Sequence, residues 1–334
     1  MTKKPNIAVL GDGGWGTTLA ILLHKKGLPV TLWGAFDDYV RQTSKSHINK
    51  KFLPGIKIPS GIVITSDLKK ALDSKDIIIF AIPSQYMRGV LRKIKVLNNL
   101  PLKAIYVSVT KGIEIASLKC MSEIIREELG NLKLTVLSGP TIAHELAKGL
   151  PTAAVIASRH RNLREYLQNV FTTKVFRIYT NDDVIGVELG GSLKNVIAIS
   201  CGISDGLGFG TNTKAALLSR GLREISRLGL AMGAKRETFS GLSGLGDLVT
   251  TCISPYSRNR CVGEEFAKGK TLKEINSKMQ MVAEGVPTAK SGYELGLKYK
   301  IDMPITREIY LVLYKNKSPR KAVVDLMSRQ RKEE

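Results

Sequence analysis

The feature that most restricts this chain is a glycine turn set between a strand and a helix near its start. Asn6 to Leu10, NIAVL, is a short apolar run that leads into Gly11-Asp12-Gly13-Gly14-Trp15-Gly16 and then into TTLAILLHKKG, whose apolar spacing is helical. Strand, GxGxxG and helix in that order make a dinucleotide-binding fingerprint. Gly11 permits the tight turn, Gly13 lets the backbone approach a pyrophosphate, and Gly16 lets helix and strand pack closely. Free N–H groups at the helix start would face the phosphates. Gly27 closes the helix and Val30 to Trp33 reads as the next strand, a context that a merely glycine-rich turn lacks. The expected cofactor is NAD or NADP. At the end of the second strand an acid would bind the ribose 2′-OH and a basic residue a 2′-phosphate, but Ala35 can do neither. Asp37 lies about 20 residues past the last glycine of the turn, or else caps the following helix, so the preference between NAD and NADP stays open.

The alternation of strand and helix continues. Ile62 to Thr65, Asp76 to Ile82, Ala104 to Val109 and Leu134 to Leu137 read as strands, with Ser66 as N-cap of a helix from Asp67 to Leu72. DIIIFAI is the continuous apolar run expected of a parallel strand covered on both faces. Two more strands, Thr152 to Ala157 and Val175 to Tyr179, flank a helix around Leu163 to Phe171. Open α/β sheets bind ligands at the carboxyl ends of their strands. That rule places Pro83-Ser84, Thr110-Lys111-Gly112 and Ser138-Gly139-Pro140-Thr141 at the cleft. After Asn181-Asp182-Asp183 only helical periodicity remains, in segments beginning near Val184, Lys214, Asn259, Pro287, Pro304 and Pro319. The fold class is therefore α/β, with a dinucleotide-binding domain over residues 1–183 and a helical domain over 184–334 that would carry substrate binding and catalysis.

The helical part opens on ELGGSLKNVIAISCGISD, from Glu188 to Asp205. Lys194 is the one charge between those two acids, on a helix spaced for burial. A buried ammonium must find a partner or give up its proton. Phe239 to Ser257 holds one charge, Asp247, in a glycine-rich setting. The two lone charges point either to a shared site or to a buried salt bridge without chemistry. Gly190 and Gly191, one turn before Lys194, are expected to leave room for a ligand. Beyond Asp247, Thr250-Thr251 and Ser257-Arg258-Asn259-Arg260 offer hydroxyls, an amide and a guanidinium fork for a phosphate. Arg258 and Arg260 would diverge at a helix start, and Arg258, nearer to Asp247, is the expected ligand. Glu284 stands alone in Val282-Ala283-Glu284-Gly285, as a helix-start charge or a site residue.

The 334 residues suffice for two cores, and 51 Lys+Arg against 29 Asp+Glu leave a net charge of +22. The basic residues are spread along the chain, with no nucleic-acid-binding signature, so phosphate-bearing small molecules are the expected partners rather than nucleic acid. No apolar run is expected to reach the roughly 20 residues of a membrane span. The N-terminus lacks a signal-peptide pattern. Cys120, Cys201, Cys252 and Cys261 lack metal-ligand spacing. A cytoplasmic protein with reduced thiols, no metal and no integral membrane association is expected. Oligomeric state is not legible, and a homodimer is kept as an expectation.

GDGGWGTTLA, VTKG, SGPTIAHE, ELGGSLKNVIAI, GLSGLGDLVTTC, the SRNR run and VAEG together resemble the bacterial-type NAD(P)-dependent glycerol-3-phosphate dehydrogenases, in that family's order and spacing over nearly the whole chain. The resemblance implies a Rossmann-type N-terminal domain with a mostly parallel sheet. It implies an all-helical C-terminal domain of the 6-phosphogluconate-dehydrogenase kind. It also implies reversible reduction of dihydroxyacetone phosphate to sn-glycerol 3-phosphate for phospholipid synthesis. By motif, Lys194 resembles the proton donor and acceptor. Lys111, Gly139, Thr141, Asp247, Ser257, Arg258 and Asn259 resemble substrate contacts. Gly14, Trp15, Lys111, Ala143, Arg258, Val282 and Glu284 resemble cofactor contacts, beside Gly11, Gly13 and Gly16 of the turn. Ala35 departs from the His or Arg that many members carry there. For such chemistry the Lys194 ammonium must fall two to three units from about 10.4, through desolvation and Lys111, with Asp247 limiting the shift. The rival expectations are a dehydrogenase of the same architecture acting on a 3-hydroxy acid or ketopantoate, and a dinucleotide-sensing or nucleic-acid-binding module without turnover.

Overall fold

The computed structural model describes residues 4–97, 100–279, 281–331 and 333; parts of the first and last segments read above lie outside the described residues. Strands β1 (Ile7–Leu10), β2 (Val30–Trp33), β3 (Val63–Thr65), β4 (Ile77–Phe80), β5 (Ile105–Ser108), β6 (Lys133–Ser138), β7 (Thr152–Ala157) and β8 (Phe176–Asn181) form one 8-stranded sheet. Its order is β3-β2-β1-β4-β5-β6-β7-β8, and every pairing is parallel except β6 with β7. The connecting helices are α1 (Gly14–Lys25), α2 (Asp37–Ser46), α3 (Leu68–Leu72), α4 (Ser84–Val96), α5 (Met121–Leu129), α6 (Ala143–Ala147) and α7 (Arg161–Phe171). β1 and β4 are buried at every residue. Separate apolar clusters cover the two faces of the sheet, one around Leu19, Leu23 and Phe171 and one around Met87, Leu91 and Ile124. Such two-sided cover is why these strands read as unbroken apolar runs.

The chain then turns wholly helical among the described residues: α8 (Val184–Gly206), α9 (Thr211–Ala231), α10 (Arg236–Ser240), a π-helical turn (Leu242–Gly246), α11 (Asp247–Ile253), α12 (Arg258–Ala267), α13 (Leu272–Lys278), α14 (Gly285–Lys298), α15 (Pro304–Tyr314) and α16 (Pro319–Met327). α8 is the axis of this part, with Leu193, Val196, Ile197 and Ile199 in its core. Asp183 caps α8 through Gly186 N–H at 2.9 Å and ties it to α10 through Thr238 Oγ1 at 2.7 Å.

Three expectations are corrected. First, α8 does reach the length of a membrane span: it has 23 residues and a mean hydropathy of 1.4 over its most apolar stretch, but 94% of that stretch is buried in the fold. Second, the cap of α3 is Asp67, which accepts the Lys70 N–H at 3.0 Å, while Ser66 donates to Asp37 at 2.5 Å. Third, Gly190 and Gly191 do not open a ligand space. A Cβ on Gly190 would stand 2.5 Å from the Ser243 carbonyl oxygen, and one on Gly191 2.4 Å from Ser138 Oγ. Both glycines let α8 press against its neighbours, the π-helical turn on one side and the end of β6 on the other.

Candidate active site

β1 lies between β2 and β4, so the direction of strand succession reverses there and leaves a crevice at the carboxyl ends. Gly11 closes β1 with φ +121°, and a Cβ on it would stand 2.4 Å from the Ala81 carbonyl oxygen beyond β4. A Cβ on Gly16 would stand 1.9 Å from the Gly11 carbonyl oxygen. These two glycines serve packing. Gly13 differs, since a Cβ there would meet nothing within 4 Å. Gly13 is also the N-cap of α1 and supplies no side-chain cap, so the first amides of α1 lack intrahelical partners. A Cβ on Gly14 would stand 2.5 Å from the Phe52 carbonyl oxygen and 3.8 Å from Ala143 Cβ at the start of α6; the Ala143 carbonyl accepts from Thr18 Oγ1 at 3.1 Å. Trp15 packs edge-on against Phe176, and its buried Nε1 has no partner among the described residues. An open glycine, uncapped amides and an orphaned indole N–H fit a bound pyrophosphate. Ala35 and Phe36, past β2, are exposed. Asp37 neither caps α2, whose N-cap is Phe36, nor is free: it pairs with Arg41.

Next to this crevice the two lone charges of the sequence meet. Lys194 and Asp247 form a buried ion pair, with side chains 7% and 1% exposed. Lys194 Nζ also donates to Thr251 Oγ1 at 2.5 Å, and Thr251 in turn donates to the Asp247 carbonyl at 2.7 Å. Among the described residues, two of the three ammonium protons are thus committed and one is free. Asp247 continues the π-helical turn into α11, within one helical stretch from Leu242 to Ile253. Its other oxygen, Oδ2, accepts from Lys111 at 2.7 Å. Lys111, beyond β5, also donates to the Gly139 carbonyl at 2.8 Å and to Thr141 Oγ1 at 3.2 Å. Gly139 carries φ +139°. Burial pushes the Lys194 ammonium down to about 7, Asp247 opposes that shift, and Lys111 adds to it.

The third group comes from α12 and the turn before α14. Arg258 is open to solvent yet enclosed enough that desolvation lowers its pKa; it donates to the Val282 carbonyl at 2.6 Å. Arg260 points elsewhere, to Asp205 at 2.6 Å and Glu264 at 2.8 Å. Ser257 caps α12, accepting the Arg260 N–H at 3.3 Å. Asn259 is committed: its Oδ1 accepts from Gly285 N at 2.9 Å and its Nδ2 donates to Asn195 Oδ1 at 2.9 Å. Glu284 does not cap its own helix. It reaches the start of α4, accepting from Ser84 N at 2.7 Å and from Ser84 Oγ. Burial raises its pKa, and the Ser84 hydrogen bonds, with Arg258 behind them, partly offset the rise.

Sequence reasoning missed Thr251, Asn195 and Ser84 in these roles. Thr251 was detectable, because it stands four residues after Asp247 and so shares its helix face. No group of His, Cys, Asp and Glu suited to a metal occurs among the described residues. The arrangement as a whole is one shared carboxylate between two amines, beside a dinucleotide crevice, with a guanidinium at the rim.

Comparison with known proteins gives consistent matches. A family model described as NAD-dependent glycerol-3-phosphate dehydrogenase N-terminus matches residues 6–164, and its C-terminal counterpart matches residues 183–324. The chain is 50% identical over 331 residues to the NAD(P)+ glycerol-3-phosphate dehydrogenase of Citrifermentans bemidjiense, covering 98% of each. It is 47% identical over 328 residues to the enzyme of the same name from Fusobacterium nucleatum, covering 98% of this chain and 97% of that one. The crystal structure of glycerol-3-phosphate dehydrogenase from Coxiella burnetii is similar to it with a TM-score of 0.94 at 38% identity, over 98% of this chain and 99% of that one.

Proposed function

The chain belongs to the family of NAD-dependent glycerol-3-phosphate dehydrogenases, and on that premise we propose that Lys194 is the group that gives and takes the proton. The enzyme interconverts sn-glycerol 3-phosphate and dihydroxyacetone phosphate with NAD(P). The nicotinamide supplies or accepts the hydride. Residues 1–183 hold the dinucleotide, with Gly11, Gly13, Gly14, Trp15, Gly16, Ala35 and Ala143 along the crevice. Residues 184–334 bring the amine, its counterion and the phosphate ligand.

During reduction the Lys194 ammonium donates its uncommitted proton to the carbonyl oxygen as negative charge grows there, and the neutral amine remains. During oxidation the neutral amine takes the hydroxyl proton. An amine at its ordinary pKa would be almost wholly protonated near pH 7. Burial that brings Lys194 to about 7 makes both forms available, and the observation that carries the reading is the buried Lys194 amine held by Asp247 and Thr251 beside the dinucleotide crevice. Asp247 and Thr251 position the amine. Lys111, Thr141 and Gly139 line the substrate side, and Arg258 at the rim meets the phosphate dianion. Val282 and Glu284 stand beside Arg258, where they help shape the cofactor cleft. Ser257 and Asn259 act by holding α12, which carries Arg258, rather than by offering free donors. The product serves phospholipid synthesis, in the cytoplasm and as a homodimer; light scattering of the purified protein checks the last of these.

Lys194→Ala should lower kcat by about 10²- to 10⁴-fold, the usual worth of a general acid–base group, with NADH affinity within about threefold. A loss below about tenfold would remove Lys194 from the role. Oxidation of NADH or NADPH only when dihydroxyacetone phosphate is present, and not with ketopantoate, separates this reading from its nearest rival.

A further inference from the structure

Most buried carboxylates of this chain are satisfied. Glu188 accepts from Ser122 N at 2.8 Å and from Ser122 Oγ at 2.5 Å. Glu224 accepts from Ile305 N at 2.6 Å and Thr306 N at 3.1 Å. Asp12 is the exception. It is 8% exposed, and its buried Oδ2 has no partner among the described residues. Its own backbone amide and Lys51 favour the ion, but burial outweighs them and holds the pKa up at about 6.

The backbone that carries this side chain is held in place. The Asp12 carbonyl accepts from Asn49 Nδ2 at 2.6 Å and from Thr17 Oγ1 at 3.2 Å. Asn49 is itself held by the Tyr39 hydroxyl at 2.7 Å. The carboxylate packs on Gly34, where a Cβ would come 2.3 Å from Oδ2. Gly34 follows β2 directly, and in this fold the end of that strand is where a dinucleotide's ribose 2′ position is read. Ala35 brings no group to it. Asp37 is committed to Arg41 and Ser66. Arg41, the obvious donor to a 2′-phosphate, is 70% exposed and paired with Asp37 at 2.5 Å and Asp38 at 3.2 Å.

We infer that Asp12 is the specificity-determining residue for the dinucleotide: from the glycine turn rather than from β2, its carboxylate accepts the ribose 2′-OH of NAD and excludes the 2′-phosphate of NADP. The inference rests on the dehydrogenase reading only in that it names that enzyme's nucleotide. A carboxylate oxygen lacking a donor gains one from the hydroxyl. Beside a phosphate dianion the same oxygen meets like charge in a poorly hydrated place. The glycine at position 34 follows from the same arrangement, since any larger residue would displace the carboxylate.

The test is direct binding without substrate, by nucleotide fluorescence titration of NADH, NADPH and 2′-deoxy-NADH, with the wild-type chain, Asp12→Ser and Asp12→Asn. Wild type should bind NADH at least about 30-fold more tightly than NADPH, and should lose about tenfold on 2′-deoxy-NADH, the range of a hydrogen bond to a charged group. Asp12→Ser should narrow the NADH to NADPH ratio to within about threefold, chiefly by tightening NADPH, and should bind 2′-deoxy-NADH nearly as well as NADH. Equal or reversed preference in wild type overturns the inference, and so does a parallel loss of both nucleotides in Asp12→Asn and Asp12→Ser, which would mark Asp12 as structural. Should neither variant fold, the wild-type response to 2′-deoxy-NADH and NADPH still decides. Because binding is read without turnover, failure of the dehydrogenase reading would show as absent dihydroxyacetone phosphate reduction with the binding ratio intact.

Discussion

Lys111→Met is the substitution that most directly probes how the site sets the protonation of Lys194. Lys111 and Lys194 bond to the two oxygens of one carboxylate, Asp247. Two ammonium groups so placed stand about 5 Å apart and, at an effective dielectric of about 20, repel by about 3 kcal/mol. That corresponds to about two pKa units. Methionine keeps most of the stem's packing while removing the charge. The pKa of Lys194, about 7 with Lys111 in place, should therefore rise to about 9 in the variant. The assay is kcat/KM for glycerol 3-phosphate oxidation between pH 6 and 10, which reports the free enzyme's base. The rising limb should move up by one to two pH units, so that at pH 7 only about 1–10% of the variant carries the neutral amine, and the lost rate returns toward pH 9. In the reduction direction the falling limb should move up by the same amount. The height of the profile should fall as well if Lys111 contacts substrate as proposed, so its position is what counts. The substrate's own phosphate titration is common to both proteins and cancels. A limb that stays in place or moves to lower pH would refute the view that Lys111 depresses Lys194 through space.

Gly16→Ala should destabilise by about 3 kcal/mol or prevent folding, because its Cβ would fall 1.9 Å from the Gly11 carbonyl oxygen. Gly13→Ala, which meets nothing within 4 Å, should leave Tm almost unchanged while weakening dinucleotide binding; equal thermal behaviour of the two variants would contradict the separate roles assigned to these glycines. Glu224 is held at about 7 because burial outweighs the amides it accepts from. A folded pKa above the unfolded one gives stability that is present below about pH 4.5 and lost as pH rises through 7, by at most about 1.4 kcal/mol per pH unit. The deficit of Glu224→Gln in urea denaturation should accordingly shrink from pH 5 to pH 8, and a deficit that grows with pH would show that the amides win.

The parts of the fold that could be read from sequence were those decided by local pattern. β2 and β7 fall on the residues expected, Val30–Trp33 and Thr152–Ala157, because short runs of apolar and β-branched residues between turn residues leave little choice. α4 and α5 went unread, being amphipathic helices of 13 and 9 residues whose charges belong to an ion-pair cluster around Arg88 that only the fold assembles. Lys194 and Asp247 could be matched because each is a solitary charge in a neutral stretch, and solitary buried charges need each other. Glu284 could not be placed, since its partner Ser84 lies 200 residues away. Gly190 was misread for a related reason: sequence shows that a side chain is missing but not that the Ser243 backbone fills the gap.

The charge count at the site links these observations to the reaction. Lys194 and Asp247 come from the helical part, Lys111 from the sheet, and the two amines share one carboxylate. A private counterion would hold a buried lysine protonated, and no counterion would leave it neutral at every working pH. Sharing the carboxylate lies between those limits, which is what an amine that must both give and take a proton requires. With Lys194 protonated, the sharing also leaves the cluster with an excess of one positive charge, while Arg258 at the rim stands beside Glu284. A substrate carrying a phosphate dianion meets that excess, whereas a monocarboxylate of the rival dehydrogenases would leave part of it unpaired in a poorly hydrated place. The same imbalance that brings Lys194 near neutrality therefore favours a phosphorylated substrate, so acid–base competence and substrate class follow from one electrostatic arrangement.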